Sequence, residues 1–398
     1  MAAKTSVCYF SFLRHSDMYS RPQQLHKAWR TNFAESGEFY YVDPPRTLNE
    51  LVVRLWRNLL PKSEEKPLIR ANQDQTNVLG GGIFLPNALK GHRVPQWLID
   101  NPFSLTAEKI VMRKVLSAIG RDRERVAIVA SPFWEPFISP NDFDLICYDY
   151  QDTIHLVPAA LYEAARTKHE RLIAKSDIVF VTAEPLKKEI LDVAAEKDVV
   201  LTSNGVDTQF FEDNKTTEEH LGYQKKHRKT VGYIGSIFWW VDLELLYRVA
   251  EKLSDVDFLL VGPFEKSTRQ YIRNRPRNVF ILGRKEYRQV PAYVNVLDVG
   301  LILFKPGRIA DTIDPIKLYE YFCLGKPVVT TRLKPLEGFN DGRLLREAST
   351  PNEFAEAIDF FLRNDREGWR AARKRVALEN SWLNKATTII DNIESCLV

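Results

Sequence analysis

The chain contains two successive series of short apolar runs, and a segment long enough for a helix separates many neighbouring runs. Alternation of this kind is typical of βα units that build a mostly parallel sheet. The sequence therefore predicts an α/β protein with two doubly wound, Rossmann-like domains. The runs are 7–12, 125–130, 144–149 and 178–182 in the first series, and 230–235, 257–261, 279–282 and 299–304 in the second.

The boundary between the two series is marked by a strand that begins at Val199 and ends in the turn Asn204-Gly205-Val206-Asp207, and by a polar stretch, 212–229. Asn-Gly is a strong turn dipeptide, and we interpret this region as a hinge. A length of 398 residues suits two domains of ordinary size. We predict domains at 1–205 and 206–375, followed by a final helix within 376–398.

The stretch 311–331 in the second domain has the pattern of loop, short helix, tight turn and strand. Asp314 suits the N-cap position and Pro315 the first helical position. The first turn of a helix offers free N–H groups and the positive end of its dipole, and Lys317 adds a positive charge there. Glu320 lies on the same helix face and is suited to accept hydrogen bonds from sugar hydroxyls. The alternative is an ordinary surface Lys–Glu pair.

Residues 314–329 resemble the nucleotide-sugar signature of GT-B fold glycosyltransferases, in a bacterial polysaccharide-type group whose signature reads N/D-P-x-K-x-Y-E-Y followed by G-K-P-V-V. The resemblance implies that Lys317 contacts the donor diphosphate, with Ile316 beside it, and that Glu320 contacts the donor ribose. The wider retaining families carry a second Glu at the position of Thr312. The roles of that Glu are therefore not transferred, and a retaining outcome is not implied.

The same resemblance extends to 204–207 and 20–25, and it implies two domains that face a cleft. The domain 1–205 is then expected to bind the acceptor and 206–375 the nucleotide sugar, while 376–398 crosses back to the first domain. The implied enzyme is a hexosyltransferase that uses a UDP-sugar and no cofactor. We expect it to be metal-independent, because Lys317 and the helix N–H groups can neutralise the charge of the leaving diphosphate. Its expected acceptor is a lipid-linked or polysaccharide precursor.

The general base is sought at the end of the run 144–149, because ligands of parallel sheets bind beyond the carboxyl ends of strands. Asp149, Asp152 and His155 lie in that region. We predict that Asp152 takes the acceptor proton, with Asp149 as the second candidate. Asp149 is nearer the strand end, where a carboxylate often binds turn N–H groups. The alternative is that both are solvated loop carboxylates.

Further donor contacts are predicted at four positions. Gly235 and Ser236 close a strand where backbone N–H groups can approach a phosphate, and the alternative is a plain strand exit. Arg284 follows another strand end. Arg21 opens a helix that Ser20 can cap, and it belongs to the Arg-Pro-Gln-Gln run that resembles the helix bordering the cleft. For both arginines the alternative is an ordinary surface charge.

The composition is that of a globular protein, with 27% charged residues and a net charge of +4. This mild positive charge allows anionic substrates but not a nucleic-acid partner. Cys8, Cys147 and Cys323 lie in apolar runs, which indicates buried thiols in a reducing compartment. No leader peptide and no apolar segment of about 20 residues is found. We predict a cytoplasmic protein.

The run 46–62 has the pattern of a basic amphipathic helix. One interpretation is peripheral contact with an anionic membrane on the inner face, and the other is packing of the apolar face on the domain itself. Two further functions stay open at this point. One is a nucleotide-sugar epimerase of the same fold, and the other is a GT-B binding subunit without catalysis.

Overall fold

The structure is a computed structural model that describes residues 5–13, 15, 20–35, 37–44, 69–71, 77–80, 112–216, 221–223 and 228–397. The basic run 46–62 lies outside the described residues. The chain divides into two compact units. The first unit comprises Met1–Thr182, Leu186–Thr202 and Ala386–Val398, and the second comprises Ala183–Pro185 and Ser203–Lys385.

The first unit is built on an eight-stranded sheet with the order β3-β4-β2-β1-β5-β6-β7-β8. Every pairing is parallel except that of β3 with β4. The chain order reverses around β1, which pairs with β2 on one side and with β5 on the other. The strands are β1 (Thr5–Phe10), β2 (Gly37–Asp43), β3 (Ile69–Ala71), β4 (Asn77–Gly80), β5 (Arg125–Val129), β6 (Leu145–Tyr150), β7 (Ile178–Val181) and β8 (Asp198–Leu201).

The second unit is built on a six-stranded parallel sheet with the order β11-β10-β9-β12-β13-β14. Here the chain order reverses at β9, which pairs with β10 and β12. Ligands of such sheets bind outside the carboxyl ends of the strands at this kind of reversal. The strands are β9 (Thr230–Ile234), β10 (Asp257–Val261), β11 (Val279–Gly283), β12 (Val299–Ile302), β13 (Val328–Thr330) and β14 (Leu345–Glu347).

Helices connect most of the strands, and their ends follow local sequence signals. Ser20 precedes the first helix. The N–H and the hydroxyl of Ser20 both donate to the side-chain oxygen of Gln23 in the first turn of that helix. Asp242 caps another helix by accepting the N–H of Leu245 at 2.9 Å. The α-helices are Arg21–Asn32, Tyr162–Lys175, Glu184–Val193, Thr208–Asp213, Leu243–Lys252, Val290–Val296, Ile316–Cys323, Pro351–Asn364, Glu367–Glu379 and Trp382–Leu397, and residues 112–119 are also helical.

The predicted α/β class with doubly wound sheets is confirmed. Each predicted apolar run overlaps a strand, although several strands end one or two residues before the run does. β2, β3, β4 and β14 were not predicted. The thiols of Cys8, Cys147 and Cys323 are buried, as expected. In the part of the chain that the structure describes, no helix has both the length and the apolar character needed to span a bilayer.

The ends of β9 and β10 approach each other closely through Gly235 and Gly262. A Cβ atom on Gly262, where φ is +145°, would lie 1.9 Å from the carbonyl oxygen of Gly235. Gly307 has a similar φ of +150°, but a Cβ atom there meets nothing within 4 Å. The two glycines therefore share a backbone conformation that would strain a residue with a side chain, and they differ in steric contact.

We expect Gly262→Ala to reduce the free energy of unfolding by about 2 kcal/mol more than Gly307→Ala, because only the former overpacks the strand ends. Urea denaturation of both variants checks this. Equal losses would show that the left-handed conformation, and not the contact with Gly235, requires glycine at position 262.

Candidate functional site

The helix Ile316–Cys323, called the signature helix below, begins with Pro315 in the N-cap position. The prediction that Asp314 caps this helix is wrong. Its carboxylate instead accepts the N–H of Asn204 at 2.6 Å and the hydroxyl of Tyr319 at 3.0 Å. Both partners are fixed by the fold, so the Asp314 oxygens do not serve the first turn. The N–H groups of Ile316 and Lys317 have no partners within the helix itself, whereas that of Leu318 donates to the carbonyl of Pro315 at 3.0 Å.

The ammonium of Lys317 lies over two aromatic rings, 5.2 Å from the centroid of Tyr233 and 4.8 Å from that of Phe304. Within the described residues, no oxygen accepts a hydrogen bond from it. Burial lowers the pKa of Lys317 to about 8, and the carboxylate of Glu320 only partly opposes that shift. A cation held mainly by ring faces is only partly compensated, so this arrangement favours an anionic ligand.

Gly235, at the end of β9, provides space for the Lys317 side chain. A Cβ atom on Gly235 would lie 3.1 Å from Cε of Lys317. The prediction that the Gly235 N–H binds phosphate is contradicted, because that N–H donates to the carbonyl of Val261 at 2.9 Å. Gly235 therefore serves the site by its small size and not by its amide.

Ser236 directly follows Gly235, and its role as a phosphate contact stays a prediction. The N–H of Ile237 donates to Pro263 on the β10 side, as the N–H of Gly235 also does toward Val261. The N–H of Ile234, the last residue of β9, donates to the hydroxyl of Tyr321 in the signature helix, at 2.9 Å.

Glu320 lies one turn after Lys317 and is 8% exposed. Its Oε1 accepts the hydroxyl of Tyr287 at 3.3 Å. Burial raises the pKa of Glu320 to about 7, and the opposing effects of Lys317 and Tyr287 are smaller. This carboxylate is thus short of hydrogen-bond donors. Thr312, at the position of the second Glu of retaining families, is buried, and its hydroxyl donates to the carbonyl of Ile309.

Arg284 is exposed directly after β11, the edge strand, and β10 separates β11 from β9. Among the described residues, no hydrogen bond or ion pair joins Arg284 to another side chain. Its role as a donor contact stays a prediction, as does that of Ile316. No group of three or more His, Cys, Asp or Glu residues within the described ranges is arranged to hold a metal ion.

Asp149 and Arg21 form a buried ion pair in the first unit, with 2.9 Å between Oδ1 and Nη2. Asp149 also accepts the hydroxyl of Tyr9 at 2.5 Å and the side-chain amide of Gln151 at 3.1 Å. The guanidinium of Arg21 further donates to the carbonyl and hydroxyl of Thr202. The structure contradicts Asp149 as a base and Arg21 as a ligand residue, because each is buried and fully engaged. Tyr9 and Gln151 could not be predicted as partners of Asp149 from the sequence pattern.

Asp152 differs from Asp149 because it is an exposed residue. Desolvation by neighbouring protein groups is the main cause that raises the pKa of Asp152 to about 6. Arg21 acts in the opposite direction, while Asp149 adds to the rise. No hydrogen bond within the described residues reaches its carboxylate. A carboxylate with this pKa is ionised at neutral pH and is more basic than an ordinary Asp, which suits proton transfer.

We expect Asp149→Asn to lower the free energy of unfolding by about 3–5 kcal/mol, because it leaves the buried guanidinium of Arg21 without a counter-charge. The isosteric control, Asp152→Asn, should change it by no more than about 0.5 kcal/mol. Chemical denaturation followed by circular dichroism measures both. Equal stability of the two variants would contradict the structural role assigned to Asp149.

Comparisons of sequence agree with this geometry. Residues 228–364 match the protein family described as Glycosyl transferases group 1. A Bacillus subtilis protein, TuaH, named as a teichuronic acid biosynthesis glycosyltransferase, is 28% identical over 221 residues, which cover 53% of this chain and 55% of that protein. The chain therefore spans about half the length of the curated relative that it matches.

Comparisons of structure cover nearly the whole chain. Sucrose-phosphate synthase from Thermosynechococcus elongatus is similar with a TM-score of 0.69 and 14% identity, over 98% of each chain. HepE from Anabaena, solved in complex with UDP and glucose, is similar with a TM-score of 0.64 and 13% identity, over 99% of this chain and 100% of that one. At such identities these similarities establish the fold.

The two sheets, the carboxyl-end site of the second unit and these structural relatives define the chain as a protein of the GT-B fold. Its residues 228–364 are similar to the family Glycosyl transferases group 1.

Proposed function

We propose that this protein is a glycosyltransferase that moves a hexose from a UDP-sugar to an acceptor hydroxyl. One observation carries the proposal. The ammonium of Lys317 lies at the start of the signature helix without a hydrogen-bond acceptor among the described residues. A diphosphate supplies that acceptor, and the N–H groups of the first helical turn favour the same anion. Ser236 and Arg284 are proposed as additional contacts.

The proposed step moves one glycosyl group. The acceptor oxygen forms a bond to the anomeric carbon, and the bond from that carbon to the β-phosphate oxygen breaks with its electron pair leaving on UDP. Lys317 and the helix N–H groups stabilise the charge that grows on the leaving diphosphate, so we propose that no metal ion is required. The acceptor proton goes to the carboxylate of Asp152.

The identity of the donor and acceptor classes rests on the relatives. HepE binds UDP and glucose in its solved complex, which supports a UDP-sugar donor. TuaH is named for teichuronic acid biosynthesis, which supports a polysaccharide or lipid-linked acceptor. We propose that the protein works in the cytoplasm on such a precursor.

A second candidate is a donor-binding subunit without catalysis, and Thr312 favours it. A buried Thr whose hydroxyl is bound to Ile309 occupies the position of a catalytic-family Glu. Release of UDP from a UDP-sugar separates the candidates. Release that depends on an added acceptor supports the transferase, whereas binding of UDP-sugars without release over a panel of acceptors supports the subunit.

We expect Lys317→Met to weaken UDP binding about 10- to 100-fold, on the order of 1.5–3 kcal/mol, because a charge-assisted contact is lost. Isothermal titration calorimetry measures this. Since the pKa of Lys317 is about 8 and the ammonium is the binding form, wild-type affinity should also fall as the pH rises through about 8. The variant should lack this alkaline decrease.

The matched control is Lys252→Met, at an exposed lysine in the last turn of the helix Leu243–Lys252. It should bind UDP as the wild type does. Unchanged affinity in Lys317→Met, or an equal loss in both variants, would contradict the diphosphate site.

We also propose peripheral contact with an anionic membrane, based on the basic amphipathic pattern of 46–62. Flotation with vesicles that contain phosphatidylserine should show binding that weakens as salt is raised, because the attraction is screened. Uncharged vesicles are the control. Absence of binding at low salt would contradict the membrane proposal and leave the transferase proposal unaffected.

A further inference from the structure

We propose that Tyr287 is a positioning residue of the nucleotide site, which orients Glu320 and keeps it an acceptor for the hydroxyls of the donor ribose. This inference rests on the proposed function, since it assumes that Glu320 faces a bound nucleotide. It assigns a task to a side chain outside the signature. It also gives a physical role to the turn 204–207, which the sequence pattern marked only as a hinge.

The contact between Tyr287 and Glu320 joins two separate elements. Tyr287 begins a short 3-10 turn, Tyr287–Gln289, that follows β11, and its hydroxyl donates to Oε1 of Glu320 at 3.3 Å. Among the described residues, no hydrogen bond reaches Oε2 of Glu320. The tyrosine therefore occupies one carboxylate oxygen and leaves the other for a ligand. A carboxylate fixed at one oxygen has fewer orientations to lose when it binds.

The ring of Tyr287 is itself held by a stacked aromatic side chain. Its centroid lies 5.1 Å from that of Phe210, and the two planes differ by 6°. Phe210 belongs to the short helix Thr208–Asp213, and its N–H donates to Oδ1 of Asp207 at 3.0 Å. Asp207 thus caps the helix that carries the stacking partner of Tyr287.

The other end of the same turn holds the start of the signature helix. Asn204 donates its backbone N–H to Oδ2 of Asp314 at 2.6 Å and its side-chain amide to the Asp314 carbonyl at 2.7 Å. Gly205 lies between Asn204 and Asp207 in this turn. A Cβ atom on Gly205 would lie 2.5 Å from the carbonyl oxygen of Asn380, so glycine fits best there. The turn 204–207 therefore positions both the start of the signature helix and the short helix that carries Phe210.

The charges around the carboxylate agree with this assignment. Burial, followed by the nearby carboxylates of Glu320 and Asp207, raises the pKa of Tyr287 well above its ordinary value. The hydroxyl therefore stays protonated and donates at every working pH. Lys317 and Tyr287 are the groups that lower the pKa of Glu320, against the burial that raises it to about 7. Cys323 adds a smaller effect on the pKa of Tyr287 in the same direction as Glu320 and Asp207.

Removal of the hydroxyl alone tests the assignment, because Tyr287→Phe retains the ring that stacks on Phe210. We expect UDP binding at neutral pH to weaken about three- to tenfold, the usual effect of one lost hydrogen bond. Loss of the donor raises the pKa of Glu320, so the decrease in UDP affinity on acidification should begin at a higher pH than in the wild type. The titration of UDP itself is common to all variants.

Two controls separate this effect from general damage. Tyr247→Phe removes a buried hydroxyl that donates to the carbonyl of Tyr271 in the same unit, and it should leave UDP binding and its pH profile unchanged. Inorganic pyrophosphate carries no ribose, and its affinity should be equal in the wild type and in Tyr287→Phe. An equal loss for pyrophosphate and UDP would overturn the inference.

A double-mutant cycle with Glu320→Gln completes the test. If Tyr287 acts through Glu320, then Tyr287→Phe has no further effect on UDP binding in the Glu320→Gln background. The single variant Glu320→Gln should also show a shallower decrease in affinity at acidic pH, and this arm does not depend on the folding of Tyr287→Phe. A decrease as steep as that of the wild type would overturn the inference.

The inference and the proposed function fail in different ways. Unchanged UDP affinity in Tyr287→Phe, together with a loss in Lys317→Met, would overturn the role of Tyr287 and leave the nucleotide site standing. Absence of UDP binding by the wild-type protein would overturn the proposed function and the inference with it.

Discussion

The candidate site is arranged around the ammonium of Lys317, whose positive charge is only partly balanced by the groups around it. Removing a charge from water is costly unless polar groups replace the lost hydration. Here two ring faces and a carboxylate one turn away replace it only in part, and the lowered pKa of Lys317 reflects the deficit. The surrounding elements maintain this state. Gly235 leaves space for the Lys317 side chain. The rings of Tyr233 and Phe304 hold that side chain in place but do not neutralise its charge.

The pair formed by Arg21 and Asp149 shows the opposite arrangement of the same kinds of group. Both charges are buried, but each is neutralised by its partner. Asp149 also accepts a hydrogen bond from Tyr9, and Arg21 also donates one to Thr202. Such a pair stabilises one conformation of the chain and has no capacity left for a ligand. Sequence position alone could not distinguish the two cases, because the compensating partner of Arg21 lies 128 residues away.

What the sequence predicted well depends on short-range pattern. β5, β6, β7 and the strands of the second unit from β9 to β13 were found because each is a run of apolar residues buried in its sheet. β14 was missed because it is a three-residue strand that includes Arg346 and Glu347. The start of the signature helix was predicted one residue too early, since the partner that takes up the Asp314 carboxylate, Asn204, lies 110 residues away. The hydrogen bond from the Gly235 N–H to the carbonyl of Val261 could likewise not be predicted, because it depends on the pairing of β9 with β10.

The pairing of Lys317 with Glu320 on one helix face limits what the site can recognise. Their pKa values, about 8 and about 7, both depart from the ordinary values in the direction of the neutral form. Neither residue therefore satisfies the other, although they lie one turn apart. A plain anion would stabilise the ammonium but would repel the carboxylate, and a neutral sugar would do the reverse. A nucleoside diphosphate carries phosphate oxygens and ribose hydroxyls on one molecule, so it can supply an acceptor to Lys317 and a donor to Glu320 at once. Lys317 and Glu320 together therefore favour a ligand that carries both phosphate oxygens and hydroxyl groups over a ligand that carries only one of the two.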